Sequence, residues 1–260
     1  MVEMTENFAG VTLLITHYNR SSLLEHLLRS FESLGCVFED IVVSDDGSKA
    51  AHQEYLKKIQ SEFSFRLITS PQNKGLGNNL NKGQDAVVTP YTLYVQEDFV
   101  PTAIFPVRFR DAMNIMNEEK RLDVVRFYAY KAYPYLKAFK KGFSEMLIKP
   151  WYVNYGKIYY YSDHPHLRRS DFFKKFGRYA EGIRGDRTEY RMCISFVQNK
   201  GKGLFYNDFK ELFTQENSVT EPSTMTRKNL TTSKNVFITF IRHGYRQLRY
   251  NFDIWFARYN

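Results

Sequence analysis

The sequence predicts an α/β fold: a single domain whose central sheet is mostly parallel and flanked by helices, followed by an amphipathic helical tail. Three observations lead there. Short apolar runs alternate with helical stretches about every 15 residues as far as residue 100, the rhythm of βαβ units. A polar, turn-forming segment follows each apolar run, so the loops collect at the carboxyl rim of the sheet. A chain of 260 residues that is 43% hydrophobic can bury one sizeable core.

The elements follow in order. Val11–Thr16 is a continuous apolar run, expected of a strand buried on both faces. After the His17-Tyr18-Asn19-Arg20 turn, Ser22 and Glu25 have capping-box spacing ahead of Leu23, Leu24, Leu27, Leu28 and Phe31, one apolar helical face. Ile41–Val43 is a second strand and ends in Ser44-Asp45-Asp46-Gly47-Ser48. A helix around residues 50–60 and a strand at Phe65–Ile68 come next. The turn Asn73-Lys74-Gly75-Leu76-Gly77 opens a helix that runs through Val88, and the strand Tyr91–Val95 ends in Gln96-Glu97-Asp98. Residues 101–121 place Phe105, Phe109, Met113 and Met116 on one helical face, and Leu122–Tyr128 reads as another strand. The Tyr- and Lys-rich stretch 130–161 suits either a sugar-stacking lid or the ordinary packing of an elaborated sheet.

Composition narrows the function classes. No apolar run reaches the roughly 18 residues of a membrane span, and MVEMTENFAG lacks the basic and apolar regions of a signal peptide. Cys36 and Cys193 offer neither a disulfide framework nor a ligand cluster, which fits a reducing cytosol. The net charge of +9 favours anionic partners. From Arg227 onward, seven Lys or Arg against the single acid Asp253 leave a net +6. No nucleic-acid recognition motif accompanies the charge, so nucleic acid is not the expected partner.

Because the loops converge on one rim, Asp45, Asp46, Asn73 and the Glu97-Asp98 pair are expected to face a common crevice. Adjacent carboxylates repel unless a cation, a proton or solvent offsets them. A divalent metal is one candidate partner for the pair, and a solvated acidic turn is the alternative.

These motifs, in this order, resemble those of a family 2 glycosyltransferase with the glycosyltransferase A (Rossmann-like) fold. VTLLITHYNR resembles the family's opening strand and Tyr-Asn-Arg turn, and DIVVSDDGS its second strand and Asp-Asp-Gly-Ser signature. Asn73, Gly75, Asn81 and Gly83 match its Asn-x-Gly repeat, and YTLYVQEDF stands in place of its acidic metal motif. The resemblance implies a catalytic domain over residues 1–226, with a nucleotide-binding half at about 9–100 and an acceptor half at about 101–226, and a basic tail over 227–260. It implies an inverting, hexosyltransferase-type enzyme that uses a nucleotide-sugar donor and a glycan or lipid-linked acceptor in surface polysaccharide or glycoconjugate synthesis. Donor contacts are implied for Thr16, Tyr18, Asn19, Arg20, Asp45, Asp46, Asn73, Gly75, Gln96 and Glu97. Mn²⁺ or Mg²⁺ is implied at Asp98 with help from Glu97; Gln96 departs from the family, which often has an acid there.

On the acceptor or diphosphate side the resemblance implies His164, His166, Arg168 and Arg169. On an extended strand the two histidines share a face, as metal ligands or as hydrogen-bonding groups, and the two arginines either meet a leaving phosphate or are solvated. The family's Glu-Asp pair aligns with Thr188-Glu189, with Tyr190 in place of the usual aspartate. Glu189 is thus the first choice for general base and Asp186 the second; an acid in a helix's first turn also serves simply as a dipole partner. A sugar nucleotidyltransferase is disfavoured, because His17-Tyr18-Asn19-Arg20 is not a Gly-rich phosphate loop. A non-catalytic nucleotide- or glycan-binding relative is the alternative that Gln96 and Tyr190 keep open.

In the tail, Phe237, Ile241, Tyr245, Leu248, Phe252, Trp255 and Tyr259 form one apolar stripe on a helix, with Arg242, Arg246 and Arg249 on an adjacent side. Such a helix suits an anionic membrane surface, contacted through residues 233–260, and it equally suits packing on the domain or a dimer seam. Membrane contact would place the chain in the cytoplasm, peripheral to the inner face of the cell membrane.

Overall fold

The computed structural model describes residues 5–149, 151–216 and 236–259, with the side chains of 236–242 outside that description. At its centre lies β1 (Glu6–His17), parallel to β2 (Cys36–Asp45), which in turn is parallel to β3 (Arg66–Thr69). On its other side β1 pairs in parallel with β4 (Tyr91–Gln96). Val11, Leu13 and Ile15 point into one core and Leu14 into another, so the unbroken apolar run reflects helices on both faces. The connecting helices are α1 (Ser21–Ser33), α2 (Ala50–Glu62) and α3 (Leu76–Asp85).

Helix α1 buries the predicted Leu23, Leu24, Leu27, Leu28 and Phe31. It starts at Ser21 with Arg20 at the N-cap, and the capping box does not form: Glu25 accepts instead from Arg29 and Tyr55. Gly83 explains how closely α3 lies on the sheet. A Cβ there would come within 2.7 Å of Leu14 Cδ1 and 2.9 Å of the Ser44 Cβ.

Beyond β4 the chain runs through β5 (Phe99–Pro101), α4 (Phe105–Glu118), β6 (Val124–Arg126), β7 (Leu136–Ala138) and β8 (Phe143–Met146). A 3₁₀ turn (Tyr155–Tyr160), β9 (His166–Arg169), α5 (Phe172–Phe176), α6 (Gly185–Gln198), β10 (Gly203–Tyr206), β11 (Phe213–Gln215) and α7 (Val236–Phe256) complete it. The main sheet has the order β3-β2-β1-β4-β9-β6-β10-β8-β7. Strand β9 lies antiparallel between β4 and β6, and β8 and β7 close the edge in antiparallel fashion. The sheet is therefore mixed: parallel from β3 to β4 as expected, with reversals beyond. An apolar run reads the same whichever way its neighbour points, so the sequence carried no sign of the reversals.

The core on one face gathers α1, α2 and α4; the core on the other gathers α3, α5, α6 and the Tyr-rich stretch. Tyr133, Tyr160 and Tyr161 are buried there, which settles those tyrosines as packing. The domain boundary expected at residue 226, and Arg227, Lys228 and Lys234, lie outside the described residues, as do the side chains of Phe237, Ile241 and Arg242. Helix α7 docks on α6: Tyr190 Oη donates to Asp253 at 2.5 Å, and Gln198 Nε2 donates to the carbonyls of Asp253, Ile254 and Ala257. Tyr259, expected on the apolar stripe, packs under the Arg191 guanidinium. Among the described residues, no helix is long and apolar enough to cross a membrane.

Candidate active site

The carboxyl ends of β1, β2 and β4, the turn before α3, the segment before β9 and the start of α6 enclose a crevice of about 740 Å³. Thr16, Tyr18 and Arg20 line it from the end of β1 and the turn after it, and Thr16 Oγ1 lies 2.9 Å from the Tyr94 hydroxyl. Asp46 lines it from the end of β2 and accepts the backbone N–H groups of Lys74 and Gly75, both at 2.9 Å. Those two bonds wrap the Asn73–Gly75 turn around the carboxylate, with Asn73 and Gly75 on the wall. Gly75 has φ 87, a left-handed conformation that glycine adopts without strain. Burial raises the Asp46 pKa despite these bonds.

Asp45 does not reach the crevice. As the neighbour of Asp46 it faces the other way, fully buried, against His17 Nδ1 at 2.8 Å, and it accepts from Ser48 N at 3.1 Å. Burial alone would push Asp45 up, but the hydrogen bonds from His17 and Ser48 hold it below the usual carboxylate range. The donor contact expected at Asp45 is corrected: Asp46 faces the space, and Asp45 braces the loops. Asn19, at φ 53, is likewise a brace, accepting from Lys49 N at 2.8 Å and giving its own N–H to Ser48 Oγ.

Glu97 and Asp98 form the turn between β4 and β5, with Gln96 beside them on the wall. Arg20 Nη1 sits 3.4 Å from Glu97 Oε1 and 3.1 Å from Asp98 Oδ2, so one cation faces two buried carboxylates. Burial first, and then the charge of Asp98, push Glu97 up to about 8 against the pull of Arg20. Gln215 Nε2 donates to Asp98 Oδ2 at 3.0 Å, while Asp98 Oδ1 is buried with no hydrogen-bond partner among the described residues. A buried carboxylate oxygen with no partner, next to a second carboxylate, fits a hard divalent cation. Among the described residues no group of three or more His, Cys, Asp or Glu could hold a metal. The pair therefore suits a cation whose remaining ligands come from water and phosphate, as is usual for Mg²⁺.

Glu189 also lines the crevice, from the second turn of α6, since the helix opens at Gly185 and not at Glu189 itself. Its Oε1 accepts from Ser162 Oγ at 3.0 Å and from Asp163 N at 3.1 Å, which fixes the carboxylate's direction. Asp186, by contrast, stands in the first turn, half exposed, 3.0 Å from Arg184 and off the wall. The dipole-partner reading suits Asp186, and Glu189 remains the first choice for the base.

His164 lines the crevice, packed edge-on against Tyr130 with ring centroids 4.7 Å apart. Burial pushes it down to about 3, so it is neutral at physiological pH. His166 has no exposure and its Nδ1 meets the His164 carbonyl at 2.7 Å, so the shared face expected of the two histidines is absent. Strand geometry begins only at His166. Neither arginine reaches the crevice. Arg168 is fully buried, donating to Gln84 Oε1 at 2.7 Å and to the Tyr161 hydroxyl at 3.1 Å. Arg169 donates to the carbonyls of Met116 and Leu122, both at 2.8 Å. Both act as struts, Arg168 fully buried and Arg169 half-buried, and neither lines this crevice.

Two wall residues carried no sequence signal. Gln215 reaches Asp98 only because β11 pairs with β5. Asp163 is buried beside Glu189; Tyr179 Oη donates to its Oδ1 at 2.8 Å, and its Oδ2 has no partner among the described residues. Burial, and then the neighbouring Glu189 charge, push Asp163 up to about 8. A carboxyl raised in the folded state loses stability as pH climbs from the ordinary carboxyl range through that raised value. Asp163→Asn retains the Tyr179 bond and cannot ionise. Its Tm is expected to exceed the wild-type value by a few degrees at pH 7.5, and the gap should close toward pH 4. Parallel Tm–pH curves for the two proteins would remove Asp163 from this role.

A family model described as Glycosyl transferase family 2 matches residues 12–178, which include both the Asp-Asp-Gly-Ser loop and the acidic turn. Poly-beta-1,6-N-acetyl-D-glucosamine synthase of Staphylococcus aureus (strain COL) is 26% identical over 95 residues, 36% of this chain and 23% of that one. The Staphylococcus epidermidis synthase is 26% identical over 91 residues, 35% of this chain and 22% of the other. The matched part thus spans under a quarter of those relatives' length. Among solved structures, S. aureus TarS 1–349 in complex with UDP-GlcNAc superposes with a TM-score of 0.59 at 15% identity, over 83% of this chain and 62% of that one. The same TarS fragment with UDP gives 0.58 at 15% identity, over 78% and 59%. With the family model covering well over half of its length, this chain belongs to glycosyl transferase family 2.

Proposed function

We propose that this chain transfers a sugar, with inversion, from a nucleotide-diphosphate donor to a hydroxyl of a glycan or lipid-linked acceptor in surface polysaccharide or glycoconjugate synthesis. One observation carries the reading: a single crevice is lined by Asp46, by the Glu97–Asp98 turn with Arg20 against it, and by an oriented carboxylate, Glu189. Asp46 is placed to accept from a base N–H or a ribose hydroxyl. Glu189 takes the proton of the acceptor hydroxyl as that oxygen attacks C1 from the face opposite the diphosphate. Ser162 Oγ and Asp163 N, both donating to Oε1, keep the carboxylate pointed at the acceptor. Arg20 and His164 border the same space, one holding the acid turn and the other offering a neutral imidazole to a sugar hydroxyl. Mn²⁺ or Mg²⁺ held by Asp98 and Glu97 would neutralise charge on the departing diphosphate. The two cysteines are free and buried, which suits a cytoplasmic setting.

A thermal-shift series with UDP, GDP and other nucleoside diphosphates, with and without Mn²⁺, tests the donor site. UDP is the first candidate because TarS, of the same fold, has been solved with it. At about 100-fold over Kd a ligand contributes about 2.7 kcal/mol, or several degrees in Tm for a chain of this size. The expected result is a metal-dependent rise with at least one of them. A flat response to all would overturn the donor reading.

A further inference from the structure

Helix α7 is two-sided. One side docks through Tyr190–Asp253, through Gln198, through Lys157 Nζ on Asn251 at 2.8 Å and through Gln247 Nε2 on the Tyr152 carbonyl at 2.8 Å. The other side carries Tyr245, Leu248, Phe252, Trp255 and Phe256, each between 58% and 75% exposed. At 100° per residue these five fall within an arc of about 100°, a continuous apolar stripe. The segment that Gln247 holds carries two further exposed apolar side chains, Trp151, 70% exposed, and Val153, 82% exposed. Scattered surface hydrophobics need no explanation, but a contiguous patch marks a contact surface.

Charge identifies what it contacts. The only acid from residue 227 onward, Asp253, is turned inward onto Tyr190 and meets Arg249 Nε at 3.8 Å, while the Arg249 side chain stays 54% exposed beside the stripe and Arg258 is also exposed. Lys149 Nζ lies 5.4 Å from the Trp151 ring centroid. The surface therefore presents aromatic side chains ringed by cations. Two copies paired through it about a two-fold axis would set these cations against one another. An anionic bilayer accepts both parts, with the aromatics at headgroup depth and the arginines on lipid phosphates.

We propose that the exposed face of α7, together with the Trp151–Val153 segment, is a membrane-contact surface that seats this chain on an anionic bilayer. Both tryptophans of the chain, Trp151 and Trp255, lie on it, so the protein carries its own reporter. The proposal does not depend on sugar transfer.

The test adds vesicles of phosphatidylcholine alone, or with about one-third phosphatidylglycerol, to the full chain and reads co-sedimentation and tryptophan emission. The expected result is at least tenfold tighter binding to the anionic vesicles, with a blue shift that weakens in high salt. Leu248→Glu with Phe252→Glu should reduce binding at least tenfold at unchanged Tm. If that variant loses its fold, Trp151→Glu with Val153→Glu, on a separate segment, makes the same test. No sedimentation and no blue shift with anionic vesicles would overturn the proposal. So would a dimer in light scattering that Leu248→Glu with Phe252→Glu dissociates, since a second copy would then be the occupant.

Discussion

Glu189→Gln is expected to lower kcat about a thousandfold, the middle of the range that general bases contribute, with donor affinity nearly unchanged. The amide retains an oxygen to accept from Ser162 Oγ and Asp163 N, so the helix and the wall keep their shape. It loses the ability to take a proton. Glu189 is held by Ser162 and Asp163, ahead of β9, and not by the loops that carry Asp46 and the acid turn, so nucleotide titration should give wild-type values while turnover collapses. Asp186→Asn is the matched control: Asp186 is half exposed and pairs with Arg184, and the change is expected to leave kcat within about twofold. The reverse pattern, an active Glu189→Gln and a dead Asp186→Asn, would transfer the base to Asp186. Rate and donor affinity must be measured separately, because only their divergence distinguishes a base from a residue that shapes the site.

The sequence showed where the strands end more clearly than which way the residues beyond them point. The run VTLLIT and the loop SDDGS placed the rim because burial on two faces demands unbroken apolar side chains. Which of two adjacent aspartates faces the space depends on strand orientation, and nothing in Asp45-Asp46 differs chemically. Arg168 and Arg169 illustrate a second limit. A buried arginine looks like a solvated one until the carbonyls and hydroxyls that satisfy its N–H groups are placed, and here they come from segments far along the chain. Asp163 escaped notice because its character comes from Glu189, 26 positions on, and Gln215 because it is 117 positions from Asp98. Tyr190, a departure from the family pattern, has a local cause: it is the post on which α7 docks. The tail reads as amphipathic from its spacing alone, but only the docked helix reveals that it has both a packed face and an exposed one.

Asp98→Asn should act in opposite directions on the two states of the site. With donor and Mn²⁺ present, removing one of two carboxylates from the turn is expected to weaken metal-linked nucleotide binding by about 10- to 100-fold, at least the cost of disturbing a metal's outer support. With metal chelated, the same change relieves the like-charge contact with Glu97, which burial and Asp98 together have raised to about 8. Arg20 retains Glu97 as its partner, and Gln215 can still donate to the amide oxygen of the new side chain. The apo protein is therefore expected to melt no lower than wild type, and even somewhat higher. Calorimetric scans in EDTA and in Mn²⁺ with nucleotide would show the two signs side by side. A wild type whose nucleotide affinity is the same in EDTA as in Mn²⁺ would sink the metal's role. In that case the carboxylates would be holding Arg20 in place to meet the diphosphate directly.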